Sequence, residues 1–295
     1  MDFGFGVSTR GPLATSDGIC RVAAHGEALG YDYVYVNDHI VVPGYINSHY
    51  PYSQSGDWPG APIGEAMEQL VLLSFLAHAT TTLRLLTSVM VVPHRNPVVT
   101  AKMLSTIDVL SKGRVTIGCG VGWMREEFEA IGAPPFEVRG RVIDEYLSNV
   151  TFLPKPVQNP HPPLWIGGES PIALRRAAKL GDGWYPIGNN PRHPLDTIQA
   201  YAAAQSRMKS ELEAQGRDHS HFSFAYVANW YATQGRGKAQ DGSRMIFTGS
   251  DADIRGDVHA LQDLGVEHLM LNFLAASMDE TLDHMSHFSS NIMPA

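Results

Sequence analysis

The sequence predicts an α/β protein that folds as a single (β/α)8 TIM barrel with loop insertions, covering residues 1–295. Short apolar segments alternate with longer amphipathic segments along the whole chain, which is typical of a parallel sheet with helical crossovers. Eight strand segments fit into 295 residues, and that count favours a closed barrel over an open sheet. The strand segments are continuous apolar runs, as expected when both faces of a strand are buried.

The elements follow one another in a regular order. The eight predicted strands are Phe3–Val7, Tyr33–Val36, Leu83–Val91, Val115–Val121, Leu164–Gly168, Gly183–Ile187, Phe222–Tyr231 and His268–Phe273. The clearest helical segments are Asp17–Leu29, Glu65–Thr80, Pro97–Leu110, Ile172–Leu180, Leu195–Gln215 and Ala252–Leu264. A long loop rich in Pro, Gly, Tyr and Ser separates the second strand from its helix, from about Val42 to Ile63.

Composition and charge exclude several function classes. The formal net charge is −8 and there is no Lys/Arg run, which argues against nucleic acid or an anionic membrane as a partner. The two cysteines, Cys20 and Cys119, form no CxxC motif and predict neither a disulfide framework nor a zinc site. With no signal-peptide pattern at the first residues and no apolar run of spanning length, the expected compartment is the cytoplasm.

Functional residues of a (β/α)8 barrel lie at and just after the carboxyl ends of its strands. Asn37-Asp38-His39 follows the second strand. A carboxylate beside an imidazole suits acid/base chemistry, since histidine titrates near neutral pH. The plainer interpretation is a turn cap at Asp38 and a satisfied polar residue at His39. The position in the barrel favours function.

Two glycine-rich strand ends are further candidates for ligand contact. The segment Gly118–Trp123 has glycines at alternate positions, which allow a ligand to approach the backbone or, equally, allow close packing at the barrel rim. It does not fit the Rossmann pattern GxGxxG, because Trp123 follows the third glycine. Gly167-Gly168 leads towards a helix at Ile172 and predicts either a phosphate cradle or a tight turn.

The histidine pattern predicts no metal site. His219-Ser220-His221 precedes a strand, at the end of a barrel that usually serves stability, and is expected to be a solvated turn. His284 and His287 have helical spacing and are expected at the surface. No HExxH, P-loop or GxSxG motif occurs.

Several runs together match one family across nearly the whole chain. The matching runs are Asn37–His39, Leu86–Val89 continuing to Arg95–Pro97, Gly118–Glu127, Phe152–Gly168, Ala173–Trp184, Thr248–Ser250 and Leu264–Asn272. In these runs the chain resembles the luciferase-like monooxygenase superfamily, and within it the branch that uses the deazaflavin coenzyme F420. The motifs are highly specific for the superfamily, less specific for the cofactor, and say little about the substrate.

The resemblance implies a role for each strand end. It implies a bulge with a non-proline cis peptide at Ser88-Val89 behind a flavin-like ring, and contact with the ring system at Asp38. His39 matches a catalytic acid/base. The loop Gly120-Val121-Gly122-Trp123 is implied to contact the cofactor, and Gly167-Gly168 to bind its phosphate. The family usually forms dimers, so a homodimer is expected.

The implied reaction is hydride transfer between F420 and a small organic substrate. The alternative is an FMN-dependent monooxygenase that receives reduced flavin from a separate reductase and uses oxygen. A third possibility is a flavin-binding protein without turnover. The pair Asp38 and His39 favours the two enzymes, since an inert binder needs no acid/base group. The roles of Arg125, Glu126 and Glu127 stay open, and solvated ion pairs are their plainer interpretation.

The sequence departs from the family pattern between Leu147 and Ser148. Members usually carry a couple of dozen more residues there, often folded as the end of a helix and a hairpin over the cofactor. Either the gene lost this segment, or the sequence omits a stretch between Leu147 and Ser148 and is numbered across it.

The long loop after the second strand is expected to line or cover the substrate pocket, or to pack on a dimer partner. Its aromatic residues favour an apolar or planar substrate. They include Tyr45, Tyr50, Tyr52 and Trp58.

Overall fold

The computed structural model describes residues 1–148, 155–233, 235 and 237–293. Its strands are β1 Asp2–Gly6, β2 Tyr33–Val36, β3 Arg84–Val91, β4 Val115–Gly120, β5 Leu164–Gly167, β6 Gly183–Tyr185, β7 Ser223–Ala228 and β8 His268–Leu271. Each strand pairs in parallel with the next in chain order, and β8 pairs with β1. The predicted closed eight-stranded barrel is therefore confirmed. The predicted strand seven is longer than the observed β7.

Helices connect the strands. They are α1 Ser16–Ala28, α2 Gln69–Ala79, α3 Pro97–Leu110, α4 Arg125–Ala130, α5 Arg139–Ser148, α6 Pro171–Leu180, α7 Ile198–Ala214, α8 Asp251–Asp263 and α9 Met278–Asn291. Local chemistry sets where they begin. The side chain of Glu68 accepts from Val71 N, so α2 begins four residues later than the predicted Glu65. Among the described residues, no helix is long and apolar enough to cross a membrane.

Large aromatic side chains fill the interior of the barrel. They form one cluster with aliphatic neighbours: Tyr33, Tyr35, Leu86, Trp165, Tyr185, Ala225, Val227 and Met270. Glycines on neighbouring strands make room for these rings. A Cβ on Gly6 would lie 2.7 Å from the ring of Tyr35, and one on Gly183 would lie 2.7 Å from the indole of Trp165. A larger apolar layer lies between the strands and the helices.

Strand β3 bulges in its second half, towards the carboxyl end of the barrel. Its register against β4 shifts between Thr87 and Met90, and the peptide bond between Ser88 and Val89 is cis, as the family resemblance implied. The neighbouring strand accommodates the bulge with a glycine, since a Cβ on Gly120 would lie 2.5 Å from Cγ2 of Val89. Close packing at the rim is thus a sufficient reason for glycine at this position.

The histidines outside the strand ends differ in their surroundings. His219–His221 forms an exposed 3-10 turn before β7, as predicted. His284 and His287, which were expected at the surface, are both partly exposed, and the side chain of His287 is 36% exposed. The Oη of Tyr231, which follows β7, lies 2.7 Å from Nδ1 of His287, and the ring of Tyr231 packs edge-to-face against His284.

The break in the family pattern lies at the end of α5. Leu147 and Ser148 are consecutive residues of this helix. The residues that follow, 149–154, lie outside the described part of the chain, and with them the start of the matching run at Phe152.

Candidate active site

The loop after β2 carries a fully buried carboxylate. Both oxygens of Asp38 accept from the guanidinium of Arg95, with Nη1 and Nη2 each at 2.7 Å, and Oδ2 also accepts from Val91 N at 2.8 Å. Nη2 of Arg95 donates in addition to Glu68 at 2.7 Å. Such a bidentate pair is strong and directional. Asp38 therefore fixes the end of β3 and the turn that follows it.

The next residue, His39, is held by a buried carboxylate from α4. Its Nδ1 lies 2.9 Å from Oε2 of Glu127, whose side chain is 1% exposed. Oε1 of Glu127 accepts from the backbone N–H groups of Ile40 at 2.6 Å and Val41 at 3.2 Å. A carboxylate can only accept, so Nδ1 of His39 donates its proton to Glu127. Nε2 is left as the nitrogen that can exchange a proton, and it has no partner among the described residues.

Opposing effects act on the pKa of Glu127. Burial works to raise it, but the hydrogen bond and charge of His39, with the backbone donor Ile40, outweigh burial and hold the pKa below its ordinary value. Glu127 therefore stays ionised at neutral pH. A second imidazole, His94, lies against the same carboxylate, with Nδ1 4.0 Å from Oε1, and burial lowers the pKa of His94. His94 is consequently neutral there.

Aromatic side chains from the long loop cover the imidazole. The centroid of Trp58, which is 7% exposed, lies 4.5 Å from that of His39. Trp123 meets Trp58 at 5.9 Å and Tyr50 at 5.0 Å, in edge-to-face geometry. We call Tyr50, Trp58 and Trp123 the mouth aromatics. The loop therefore excludes water from one side of His39, as a cover for a pocket must.

The start of α4 holds this loop in place. The carboxylate of Glu126 accepts from the backbone of Asn47 at 2.9 Å and of Ser48 at 3.0 Å. Arg125 instead forms an exposed ion pair with Glu137. The plainer interpretation, a solvated ion pair, is thus right for Arg125 and wrong for Glu127, because the chain turns Glu127 inward onto His39.

The opposite side of the barrel presents backbone groups. Gly168 has a φ of +109°, a conformation that favours glycine, and it comes just before α6, whose N-cap is Ser170. Between them, Glu169 is buried and accepts from Ile187 N at 2.8 Å and from Asn190 Nδ2 at 2.7 Å. Among the described residues no cation pairs with Glu169, and burial raises its pKa to about 7.

The bulge of β3 joins the two sides. Oγ of Ser88 lies 2.9 Å from Oη of Tyr185, deep in the barrel. Val89 packs between β4 and β5, since added Cβ atoms on Gly120 and Gly167 would lie 2.5 and 3.2 Å from its methyl groups. The bulge therefore forms the floor of the mouth.

All the site positions expected from sequence lie at the carboxyl end of the barrel, at or just after β2 to β5. Sequence reasoning missed four side-chain roles described above: Trp58 as a neighbour of His39, Glu127 as the partner of His39, His94 beside Glu127, and the buried Glu169. The available signal for Glu127 was its place in the first turn of a helix beginning five residues after β4. For Glu169 it was an acidic residue two positions after a strand end.

A sequence profile of the luciferase-like monooxygenase family matches residues 1–150 and 145–284. The chain belongs to the luciferase-like monooxygenase family. Its two matched segments overlap at residues 145–150, at the end of α5. Members are oxidoreductases and monooxygenases, which supports an enzymatic function.

Individual relatives differ in their cofactors. The uncharacterised protein Rv0940c of Mycobacterium tuberculosis is 32% identical over 212 residues, 64% of this chain and 70% of that protein. The FMNH(2)-dependent dimethylsulfone monooxygenase of Pseudomonas putida is 30% identical over 163 residues, 46% of this chain and 45% of that protein. A solved F420-dependent secondary alcohol dehydrogenase shares the fold, with a TM-score of 0.73, 16% identity and coverage of 99% of this chain and 98% of that one.

Proposed function

We propose that the protein transfers a hydride between the deazaflavin F420 and a small organic substrate, with His39 as the acid/base. The observation that carries the proposal is the buried Glu127, which orients the imidazole through Nδ1 and leaves Nε2 free to exchange a proton. A carboxylate that orients an imidazole and stabilises its charged form is a recurring arrangement in acid/base catalysis. An inert flavin-binding protein would have no use for it.

The residues at the mouth fit such a cofactor. F420 supplies two-electron hydride chemistry when bound. The bulge at Ser88-Val89 offers the methyl groups of Val89 as a floor, and the loop Gly120-Val121-Gly122-Trp123 borders it. Gly167-Gly168 offers backbone at the start of α6, where N–H groups and the helix dipole favour a phosphate. The role that we propose for Asp38 is to hold Arg95 and Val91, because both of its oxygens are already engaged.

The protein's own part in the reaction is to orient and to exclude water. Glu127 keeps the proton of His39 on Nδ1, so that Nε2 accepts a proton when substrate is oxidised and returns one when substrate is reduced. Trp58 shields the imidazole, which strengthens its interaction with Glu127 by lowering the local dielectric constant.

The second candidate is an FMN-dependent monooxygenase. The specific observation in its favour is the likeness to the FMNH(2)-dependent dimethylsulfone monooxygenase. This enzyme would need a separate reductase as a partner to supply reduced flavin.

Ligand titration separates these candidates. Purified protein is titrated anaerobically with F420 and with FMN, each oxidised and reduced, and the ligand fluorescence is followed. We expect F420 to bind at micromolar concentration and more tightly than FMN. Tighter binding of reduced FMN would replace the first candidate by the second, and binding of neither would refute both.

Variants test the role of His39. With reduced F420 and a panel of small carbonyl compounds, His39→Ala and Glu127→Gln should lower kcat by at least about a hundredfold, as expected for loss of a general acid. Their affinity for F420 should stay unchanged. His219→Ala, exposed at the other end of the barrel, is the matched control. Full turnover by His39→Ala would refute the acid/base role.

We also propose that the protein is a homodimer through α2 and α3. Apolar side chains on the outer faces of these helices are exposed to solvent, Val71 at 64%, Phe75 at 39%, Val98 at 58% and Val99 at 57%. An exposed apolar patch favours association. Light scattering should give twice the monomer mass, and Val71→Glu combined with Val99→Glu should give a monomer. A monomeric wild type would refute the proposal.

A further inference from the structure

Arg10 is a partly buried cation at the mouth of the barrel. It follows β1 by four residues, and its guanidinium lies 4.9 Å above the ring of Trp58. Among the described residues it has no ion pair and no hydrogen bond from its guanidinium. Each other arginine in that part of the chain that is not exposed donates to an acceptor; Arg114 and Arg139, for example, donate to backbone carbonyls. Arg10 therefore stands out as a cation whose donors are unused.

Its surroundings favour an anion. Arg10 is partly buried, and burial lowers its pKa against the opposing effect of Tyr50, yet a guanidinium remains protonated at neutral pH. The neighbouring carboxylate, Glu65, accepts from the backbone N–H of Gly11 rather than from Arg10. A guanidinium held in this way presents its donor fork to carboxylate, sulfonate or phosphate oxygens.

Arg10 and His39 share one aromatic side chain. The ring of Trp58 lies 4.9 Å from the guanidinium carbon of Arg10 and 4.5 Å from the imidazole centroid of His39. An anion bound to Arg10 would thus lie within a small molecule's length of the imidazole. The aromatic ring between them would contact an apolar or planar body that joins the two ends of such a molecule.

We propose that Arg10 binds an anionic group of the substrate, and that the substrates are small organic anions whose reacting carbon lies beside His39. The inference rests on the proposed function and names its substrate class. The net charge of −8 repels anions in general, so a specific cation is needed to bind one. Among the described residues, Arg10 is the cation at the mouth whose guanidinium has no hydrogen-bond or ion-pair partner.

A cofactor phosphate is the other source of the same chemistry. The backbone at Gly167-Gly168, which we assign to the phosphate, lies at the carboxyl end of β5. In a closed barrel of eight strands in chain order, β5 lies diametrically opposite β1. Arg10 is therefore on the far side of the mouth from the proposed phosphate site, which favours the substrate.

The test uses benzoate and benzamide, which have similar shape and differ in charge. Each is titrated into the full chain by calorimetry, with and without saturating cofactor. The wild type should bind benzoate at least about tenfold more tightly than benzamide, because a charge-assisted hydrogen bond is worth at least that factor. Arg10→Gln should abolish the preference, and Arg10→Lys should keep part of it. Arg207→Gln, an exposed site on α7, should keep all of it.

Each outcome decides the matter. No preference in the wild type, or an undiminished preference in a folded Arg10→Gln, overturns the inference. Displacement of benzoate by cofactor, with weaker cofactor binding by Arg10→Gln, assigns the anion to the cofactor and also overturns it. Anion preference without binding of F420 or FMN would refute the proposed function instead, whereas cofactor binding without anion preference refutes only this inference.

Discussion

Two buried carboxylates at the mouth, Glu127 and Glu169, differ in their surroundings and in the direction of their pKa shifts. Glu127, on the side of β2 to β4, receives His39 and backbone donors, and its pKa is lowered. Glu169, on the side of β5 and β6, receives neutral donors alone, and burial raises its pKa to about 7. The difference teaches that burial does not decide the charge of a carboxylate. The charge of the partner decides it.

The comparison extends to the two sides of the mouth. The β2–β4 side is rich in charges that pair with one another, as Asp38 does with Arg95. The β5–β6 side offers backbone N–H groups and a carboxylate that is partly protonated near neutral pH. A side of low charge is the better place for an anionic phosphate, and the paired side is the better place for a proton-transferring imidazole.

The largest expected effect comes from breaking a buried pair. Asp38→Asn leaves the guanidinium of Arg95 buried with only Glu68 as a charged partner, and we expect a loss of about 3 kcal/mol in the free energy of unfolding. Urea denaturation measures it. Glu137→Gln, which breaks an exposed ion pair with Arg125, should change little. Equal losses in both variants would contradict the distinction between paired buried and exposed charges.

The next effect is the pH dependence due to Glu169. Its folded pKa of about 7 lies above the ordinary 4.5, so this group's contribution to stability is present below pH 4.5 and is lost as pH rises through 7. Glu169→Gln should therefore flatten the fall in unfolding free energy over that range, by at most about 3 kcal/mol. Urea denaturation at about pH 5, near the lower end of this range, and at about pH 8, above it, measures the fall.

The control for that experiment is Glu213→Gln, at an exposed position on α7. It should leave the pH dependence as it is in the wild type. An unaltered pH dependence in Glu169→Gln would mean that the carboxylate is ionised when folded, and the contrast with Glu127 would disappear.

A smaller effect probes Val89, where the two sides meet. Gly120→Ala would place a Cβ 2.5 Å from Val89, and we expect a loss of about 1–3 kcal/mol from overpacking. Gly167→Ala approaches the same side chain at 3.2 Å and should cost less. Thermal and urea denaturation of the two variants give the comparison. A larger loss in Gly167→Ala than in Gly120→Ala would show that Val89 moves away more easily from β4 than from β5.

The smallest effect is a gain far from the mouth. A Cβ on Gly256, inside α8, would meet nothing within 4 Å. Gly256→Ala should stabilise the protein by about 0.5–1 kcal/mol, because alanine loses less conformational freedom on folding. If this variant also destabilises the protein, the cost at Gly120 cannot be assigned to contact with Val89.

Much of the fold was predictable because it depends on local patterns. Apolar runs predicted all eight strands. The N-cap residues Asn96, Thr197 and Ser250 are of the polar types that favour the start of a helix. The helix α9 was not predicted, because its apolar positions are few and it is held by packing against α1 and against Phe3 of β1. The family resemblance predicted the bulge at Ser88-Val89. The residue pattern alone predicts an ordinary strand there.

The sequence by itself determined the order of strands and helices, the family, and the positions at the strand ends where chemistry belongs, since each depends on residues close together in the chain. Only the tertiary structure decided which charges meet. His39 and Glu127 are 88 positions apart, and Asp38 and Arg95 are 57 apart. Closure of the barrel brings such residues together, and their burial then sets their protonation, which no local pattern encodes.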